Sequence, residues 1–428
     1  MSGGTRPRIL LIKPVLPYPP NQGTRVASFG LIKSLRPHFD VTVLARVISR
    51  EEILSAHELE QWCARVITVM APNRKSIAHR IIYKIFYHLK SLVLQRSLKS
   101  LYDCPGAFLR AARDLSKERF DLVIIEYWQL QRMSRYFPPD RCVLLTHDID
   151  MPVNRRIVSL ERNLVRKVPA IRRWLVERRE ETAAYRGSAR IWALTERDKA
   201  AVERIRRKPG MVDVLPVGVD VGWFASSGAR RNKGEVLFLG HLGASFNRDA
   251  LDYFIRGVYP KLGDIEGLRI TIVGGVLPKR LEFFGFEPGV EVVGSVDDVR
   301  PFLHRASCLV IPLRFGGGLR IRILEAMSAG IPVVCSPVAI AGMPLEPGED
   351  FLLAESPDGF ADAIKRVLGD ESLSATLSAS AGRKVRERYA ADVQARRVVE
   401  LVGSLVSKPS AGFGRPNRSS RSQKNRWK

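Results

Sequence analysis

Apolar residues in this chain keep two alternating rhythms: short unbroken runs, and longer stretches with a period near 3.6. The runs at 8–13 (RILLIK), 40–45, 65–70, 121–126 (DLVIIE), 141–146 (RCVLLT), 190–194 and 212–216 read as buried strands. The periodic stretches 26–35, 74–99, 155–186 and 196–206 read as helices. After a polar stretch the alternation resumes. Strands are predicted at 235–240, 268–274, 290–294, 307–312, 331–335 and 350–353, and helices at 247–259, 278–285, 298–305, 319–329, 357–369, 372–388 and 391–406. Unbroken apolar runs alternating with helices predict parallel sheets covered on both faces. The expected class is α/β with two doubly wound, Rossmann-like domains. The first spans 1–220, a linker 221–234 and the second 235–390. A closing helix at 391–407 packs back on the first domain, and 408–428 form a disordered basic tail.

In doubly wound sheets ligands gather at the carboxyl ends of the strands. That rule selects Gly23, Thr24 and Arg25 after the first strand, Glu126 at the end of DLVIIE, and His147 and Asp148 after RCVLLT. In the second domain it selects the turn from Gly240, followed by Asn247 and Arg248 at a helix start. The most pointed stretch is RFGGGLRIRILEAMSAGIPVVCS at 314–336. There Gly316, Gly317 and Gly318 open onto Leu319 and a helix, Gly330 and Pro332 end it, and a strand follows. A glycine loop feeding a helix start directs backbone N–H groups at an anion. Arg320 and Arg322 add cations, although on a regular helix they lie about 200° apart. Glu325 sits one turn beyond Arg322, close enough for an i,i+3 ion pair.

Composition changes this picture in one respect. Lys and Arg number 69 against 44 Asp and Glu, a formal charge of +25, so polyanions are attracted. Seven Lys/Arg and no acid fall in 74–99, ten Lys/Arg against four acids in 155–186, and seven Lys/Arg with no acid after 407. A basic amphipathic helix predicts contact with an anionic membrane surface. The alternative is a solvated basic face. Nucleic-acid binding rests on charge alone, without interleaved aromatics or a motif. Cys63, Cys104, Cys142, Cys308 and Cys335 show no metal-ligand spacing and read as buried thiols of a reducing compartment. Ile9–Ile12 is a strand rather than a secretory core, and no window reaches the length of a spanning helix. The expectation is a cytoplasmic protein, peripheral at the inner face of the plasma membrane.

Five segments together resemble one family: KPVLPYPPNQGTRVASFGLIKSL, VLPVGVD, LGHLGASFNRDAL, VEVVGSVDDVRPFL and GGGLRIRILEAMSAGIPVVCS. In this order they are similar to GT-B glycosyltransferases of the retaining group 4 type, best to the subset associated with exopolysaccharide assembly. The resemblance implies transfer of a sugar from a nucleotide-sugar donor to a glycan or lipid-linked acceptor, with no cofactor and no metal. Two glutamates with seven residues between them mark the family. The second falls on Glu325, implied to bind ribose hydroxyls; the first falls on Gly317, a departure that removes the usual carboxylate contact to the donor sugar. An imidazole titrating near neutrality makes His147 the first choice to handle the acceptor proton, and Asp148 the second. If the leaving phosphate takes that proton, His147 positions the sugar instead. Two other readings remain: a non-catalytic GT-B-like nucleotide-binding or scaffolding module, and a nucleotide-sugar epimerase.

Overall fold

The computed structural model describes residues 6–71, 77–207, 211–225, 231–275 and 288–407. The expected helix at 278–285 and the basic tail lie outside them. Each predicted apolar run forms a strand. The first sheet comprises β1 (Arg8–Lys13), β2 (Asp40–Val47), β3 (Arg65–Met70), β4 (Leu122–Glu126), β5 (Cys142–Leu145), β6 (Arg190–Ala193) and β7 (Val212–Val214). Its order is β3-β2-β1-β4-β5-β6-β7, parallel throughout. The second comprises β8 (Glu235–Leu239), β9 (Arg269–Val273), β10 (Val290–Gly294), β11 (Cys308–Ile311), β12 (Val333–Cys335) and β13 (Leu352–Leu353). Its order is β10-β9-β8-β11-β12-β13, again parallel. Every residue of β4, β5 and β8 is buried, as covered faces require. The fold is the expected pair of doubly wound sheets.

Strand order reverses between β1 and β4 in one domain and between β8 and β11 in the other. These switch points open a crevice at the carboxyl ends of the strands. The candidate residues after β1, β4, β8 and β11 therefore share two facing rims.

The chain crosses between domains twice, at one place. Val219 N–H donates to Tyr389 O (2.7 Å), and Ala391 N–H donates to Val219 O (2.9 Å). A Cβ on Gly218 would stand 2.7 Å from Ala391 Cα, so only glycine allows this crossing. The helix Ala391–Val406 then returns to the first domain, where Val398 and Val402 share a core with Leu31, Ile32 and Leu35.

Helix boundaries depart from expectation where local chemistry breaks the periodicity. The stretch 74–99 resolves into Ile77–Val93 and the start of Leu98–Asp103, separated at Gln95 with φ 47°. The stretch 155–186 is two helices, Asp150–Leu160 and Leu164–Gly187, because the Asn163 side chain caps the N–H groups of Val165 and Arg166. The helices Arg50–Leu59 and Gly106–Leu115, and the single turns Val221–Phe224 and Pro337–Ile340, were not predicted.

Candidate active site between the two domains

The first-domain rim is a buried charged network. Lys13 ends β1 and Glu126 ends β4, both with fully buried side chains, and Lys13 Nζ donates to Glu126 Oε2 at 2.6 Å. The same oxygen accepts from Ser28 Oγ (2.8 Å) and pairs with His147 Nε2 (2.7 Å). Lys13 Nζ also donates to Thr24 O (3.1 Å) and Ser28 Oγ (2.5 Å), which ties the helix Gly23–Leu35 to the strands. Burial alone would raise the Glu126 carboxyl. The Lys13 and His147 charges and hydrogen bonds reverse this and bring it to about 2. Burial in turn lowers Lys13, with Glu126 opposing. Glu126 Oε1 is buried and has no partner. Tyr127, at φ 71°, stacks its ring on His147 with centroids 4.7 Å apart. A bulky residue adopts that backbone conformation at a cost, and such outliers cluster at sites.

The second-domain rim is the glycine loop after β11. The helix is Ile321–Ser328, shorter than expected, and Arg320 is its N-cap at φ −89°, ψ 81°. Arg320 thus stands outside the helix, and the 200° separation of the two arginines does not apply. Gly316, at φ 147°, leaves the space into which the Arg320 guanidinium folds. That guanidinium lies 4.9 Å from the Phe246 ring centroid, and its Nε and Nη2 are buried without partners. Arg322 Nη2 donates to Asn247 Oδ1 (3.0 Å), while its Nε is buried and unpartnered. Gly240 makes room for this: a Cβ there would overlap Arg322 Nη1 and stand 3.0 Å from Asn247 Cγ.

Burial brings Arg322 down to about 9, helped by Arg320 and opposed by Glu325, so it remains a cation at neutral pH. Arg320 is lowered too, by burial, with Asp148 and Asp198 opposing. Burial pushes Glu325 up to about 7 against the pull of Arg322. Among the described residues the expected ion pair between them does not form within 4 Å; Arg322 donates to Asn247 instead. The Glu325 backbone carbonyl accepts from Ala329 N–H (2.9 Å), but among the described residues the Glu325 carboxyl has no hydrogen-bond partner.

Other candidates hold the frame. Arg248 Nη1 donates to the carbonyls of Leu242 (2.8 Å) and Gly243 (2.6 Å), so it braces the loop after β8. Leu319 packs against the cores of both domains. Arg25 is paired with Glu52 at 2.8 Å. Gly23 starts its helix with nothing within 4 Å of a Cβ built there. Thr24 contributes its carbonyl to Lys13 and Ser28.

The two rims meet at Asp148. A Cβ on Gly317 would stand 3.3 Å from Asp148 Oδ1; one on Gly318, at φ 73°, would overlap that oxygen and stand 2.5 Å from His147 O. The Asp148 carboxylate therefore occupies the space beside Gly317. Sequence reasoning missed Lys13, Ser28, Tyr127 and His241. The last, after β8, is held below its ordinary range by burial and by the charges of Arg25 and Arg248. A lysine closing an otherwise apolar strand was the one available signal for Lys13.

Two parallel α/β domains facing across such a crevice define the GT-B class of glycosyltransferase folds. The chain superposes on sucrose-phosphate synthase from Thermosynechococcus elongatus with TM-score 0.69 and 17% identity, covering 94% of this chain and 99% of that one. It superposes on the Anabaena protein HepE, solved in complex with UDP-glucose, with TM-score 0.63 and 16% identity, covering 93% and 99%. Residues 233–370, which include most of the second domain, match the model of the family described as glycosyl transferases group 1. A curated relative, an exopolysaccharide phosphotransferase of Streptomyces coelicolor, is 31% identical over 169 residues. That stretch is 37% of this chain and 18% of the relative, so the match spans less than a fifth of the relative's length.

Proposed function

We propose that this protein transfers a sugar from a nucleotide-sugar donor to a glycan or lipid-linked acceptor in surface or exopolysaccharide assembly. The observation that carries the reading is the pair of buried guanidinium groups of Arg320 and Arg322, with unpartnered N–H groups beside the free carboxyl of Glu325. Forked donors suit diphosphate oxygens, and a carboxylate suits ribose hydroxyls. In the transfer, the acceptor oxygen bonds to the anomeric carbon as the bond from that carbon to the diphosphate oxygen breaks. The diphosphate leaves with the electron pair and takes the acceptor proton. Attack on the face the diphosphate leaves retains configuration. The two arginines neutralise the leaving charge, the role a metal would otherwise fill in the proposed reaction.

A mass-spectrometric screen of nucleotide sugars against glycan and lipid-linked acceptors tests this. Expected are nucleoside diphosphate release and a product with the donor's anomeric configuration. Binding without turnover across the panel supports the non-catalytic module, and a new sugar formed without acceptor supports an epimerase. Glu325→Ala is expected to weaken nucleotide binding by about 10–100-fold, the loss of one or two charged hydrogen bonds. Since the Glu325 carboxyl sits near 7, wild-type affinity should rise from pH 6 to pH 8 and that of Glu325→Gln should stay flat. Stability runs the other way. A carboxyl raised from 4.5 to about 7 by folding holds its proton longer in the folded state, so it lowers stability as pH rises through that window. Calorimetry and thermal melts at the two pH values check both signs. Unchanged binding by Glu325→Ala would remove the donor-site assignment.

Docking on an anionic membrane, at the inner face of the plasma membrane, is a second part of the reading. Among the described residues no helix is long and apolar enough to cross a membrane. The helices Ile77–Val93 and Leu164–Gly187 nevertheless expose Phe86, Leu89, Val93, Leu164, Val165 and Val168, with Val93 and Val165 more than 80% exposed. The two helices touch, since Arg172 Nη2 donates to Ser91 O (2.9 Å), and Lys84, Lys90 and Arg166 lie close to these apolar positions in the sequence. Flotation with phosphatidylglycerol vesicles at low salt is expected, with release at high salt and loss in Val165→Glu. No flotation on anionic vesicles refutes it.

A further inference from the structure

Lys13 and Glu126 are fully buried charges at the ends of adjacent strands. A buried ion pair is a poor way to stabilise a sheet, because removing both charges from water costs as much as their attraction returns, and apolar side chains fill the same space as well. Its geometry is directed elsewhere. One oxygen, Glu126 Oε2, gathers Lys13 Nζ, Ser28 Oγ and His147 Nε2 at 2.6, 2.8 and 2.7 Å. An ionised carboxylate only accepts, so the imidazole carries its proton on Nε2. Among the described residues His147 Nδ1 has no partner. Tyr127 stacked on the ring fixes its plane, and Thr24 O and Ser28 anchor the ammonium group.

We propose that Lys13 and Glu126 are positioning residues for His147: Glu126 fixes the imidazole in its Nε2–H form with Nδ1 towards the crevice, and Lys13 keeps that carboxylate charged and in place. The role rests on the sugar-transfer reading, in which His147 Nδ1 meets the reacting sugar or the acceptor hydroxyl. Neither Lys13 nor Glu126 touches substrate through the atoms that hold the pair. An imidazole freed from Glu126 divides between two tautomers and two ring orientations, and only one presents Nδ1 correctly.

The test uses the full chain and the neutral pair Lys13→Met with Glu126→Gln, which leaves no unpaired buried charge and so folds where Glu126→Gln alone risks failing. With the donor found by the screen, the double variant is expected to lose about 100-fold in kcat, the scale of a contact at the reacting centre displaced by about 1 Å, with KM for donor within about threefold. In a His147→Ala background the same two substitutions should change kcat less than about twofold, because residues acting through one group are non-additive. A structural role would instead lower kcat equally in both backgrounds, and that result overturns the proposal. A second readout needs no turnover. Nitrogen-15 spectra of histidine-labelled protein, with the His147 signal identified by its absence in His147→Ala, should show the Nε2–H form in the wild type and a tautomer mixture in the double variant. An Nδ1–H form in the wild type overturns the proposal. Failure of the donor screen would sink the transferase reading while leaving this spectral result to decide the positioning role.

Discussion

Arg320→Ala is expected to lower kcat/KM by about 10²–10³-fold without lowering the melting temperature. The first half follows from what the guanidinium does in the transition state. A preorganised donor aimed at developing negative charge in a dry site contributes on this scale, and its removal costs accordingly. Arg320 is already in place before any ligand arrives: it is folded into the space that Gly316 leaves, braced on the Phe246 ring, with Nε and Nη2 buried and unpartnered. The second half follows from the same facts. An unpartnered buried cation beside Arg322 is a burden on the free protein, as the lowering of both groups by burial shows. Alanine removes that burden. Arg320→Lys should recover part of the rate, since the ammonium supplies charge without the fork. Steady-state kinetics beside thermal melts decide the matter. A variant that melts several degrees lower and recovers its activity on cooling would make Arg320 a structural residue.

This division between a stable frame and a burdened site explains which features could be read from the residues alone. The strands could be read, because a run such as RILLIK or DLVIIE has no other place than a covered sheet. The glycine loop could also be read, because Gly316 and Gly318 adopt φ 147° and 73°, angles that L side chains rarely take. The helix Arg50–Leu59 could not, since only Ala56 and Leu59 are buried and its apolar face is too narrow to show a period. Lys13 stood in view at the end of β1, yet its partner Glu126 lies 113 residues away, and nothing local says that the two meet without water. Arg248 shows the same limit from the other side. Its place at a helix start made it a candidate, and only the folded chain shows its Nη1 donating to the carbonyls of Leu242 and Gly243. Spacing gives the candidates for an anion site. Which of them keep free donors depends on tertiary partners.

Gly318→Ala is expected to cost about 100-fold in kcat/KM, more than its effect on folding can explain. Two penalties fall on this position and they can be separated. The backbone at φ 73° disfavours any side chain, at about 1–2 kcal/mol. The added Cβ would also overlap Asp148 Oδ1 and stand 2.5 Å from the His147 carbonyl oxygen. The carboxylate can swing aside; a backbone carbonyl beside the buried His147–Glu126 hydrogen bond cannot. The rims must then part, and the distance between the second domain's arginines and His147 grows. Rates fall steeply with such misplacement, about 100-fold for 1 Å. Gly348 provides the control: its φ is 84°, and a Cβ there meets nothing within 4 Å. Gly348→Ala should therefore lower the melting temperature through backbone strain alone and leave kcat/KM within about twofold, as expected of a position away from any functional contact. Equal kinetic losses in the two variants would mean that strain, and not the approach of the domains, limits the reaction. A loss confined to Gly318→Ala would locate the working geometry at the contact between the glycine loop and the His147–Asp148 turn.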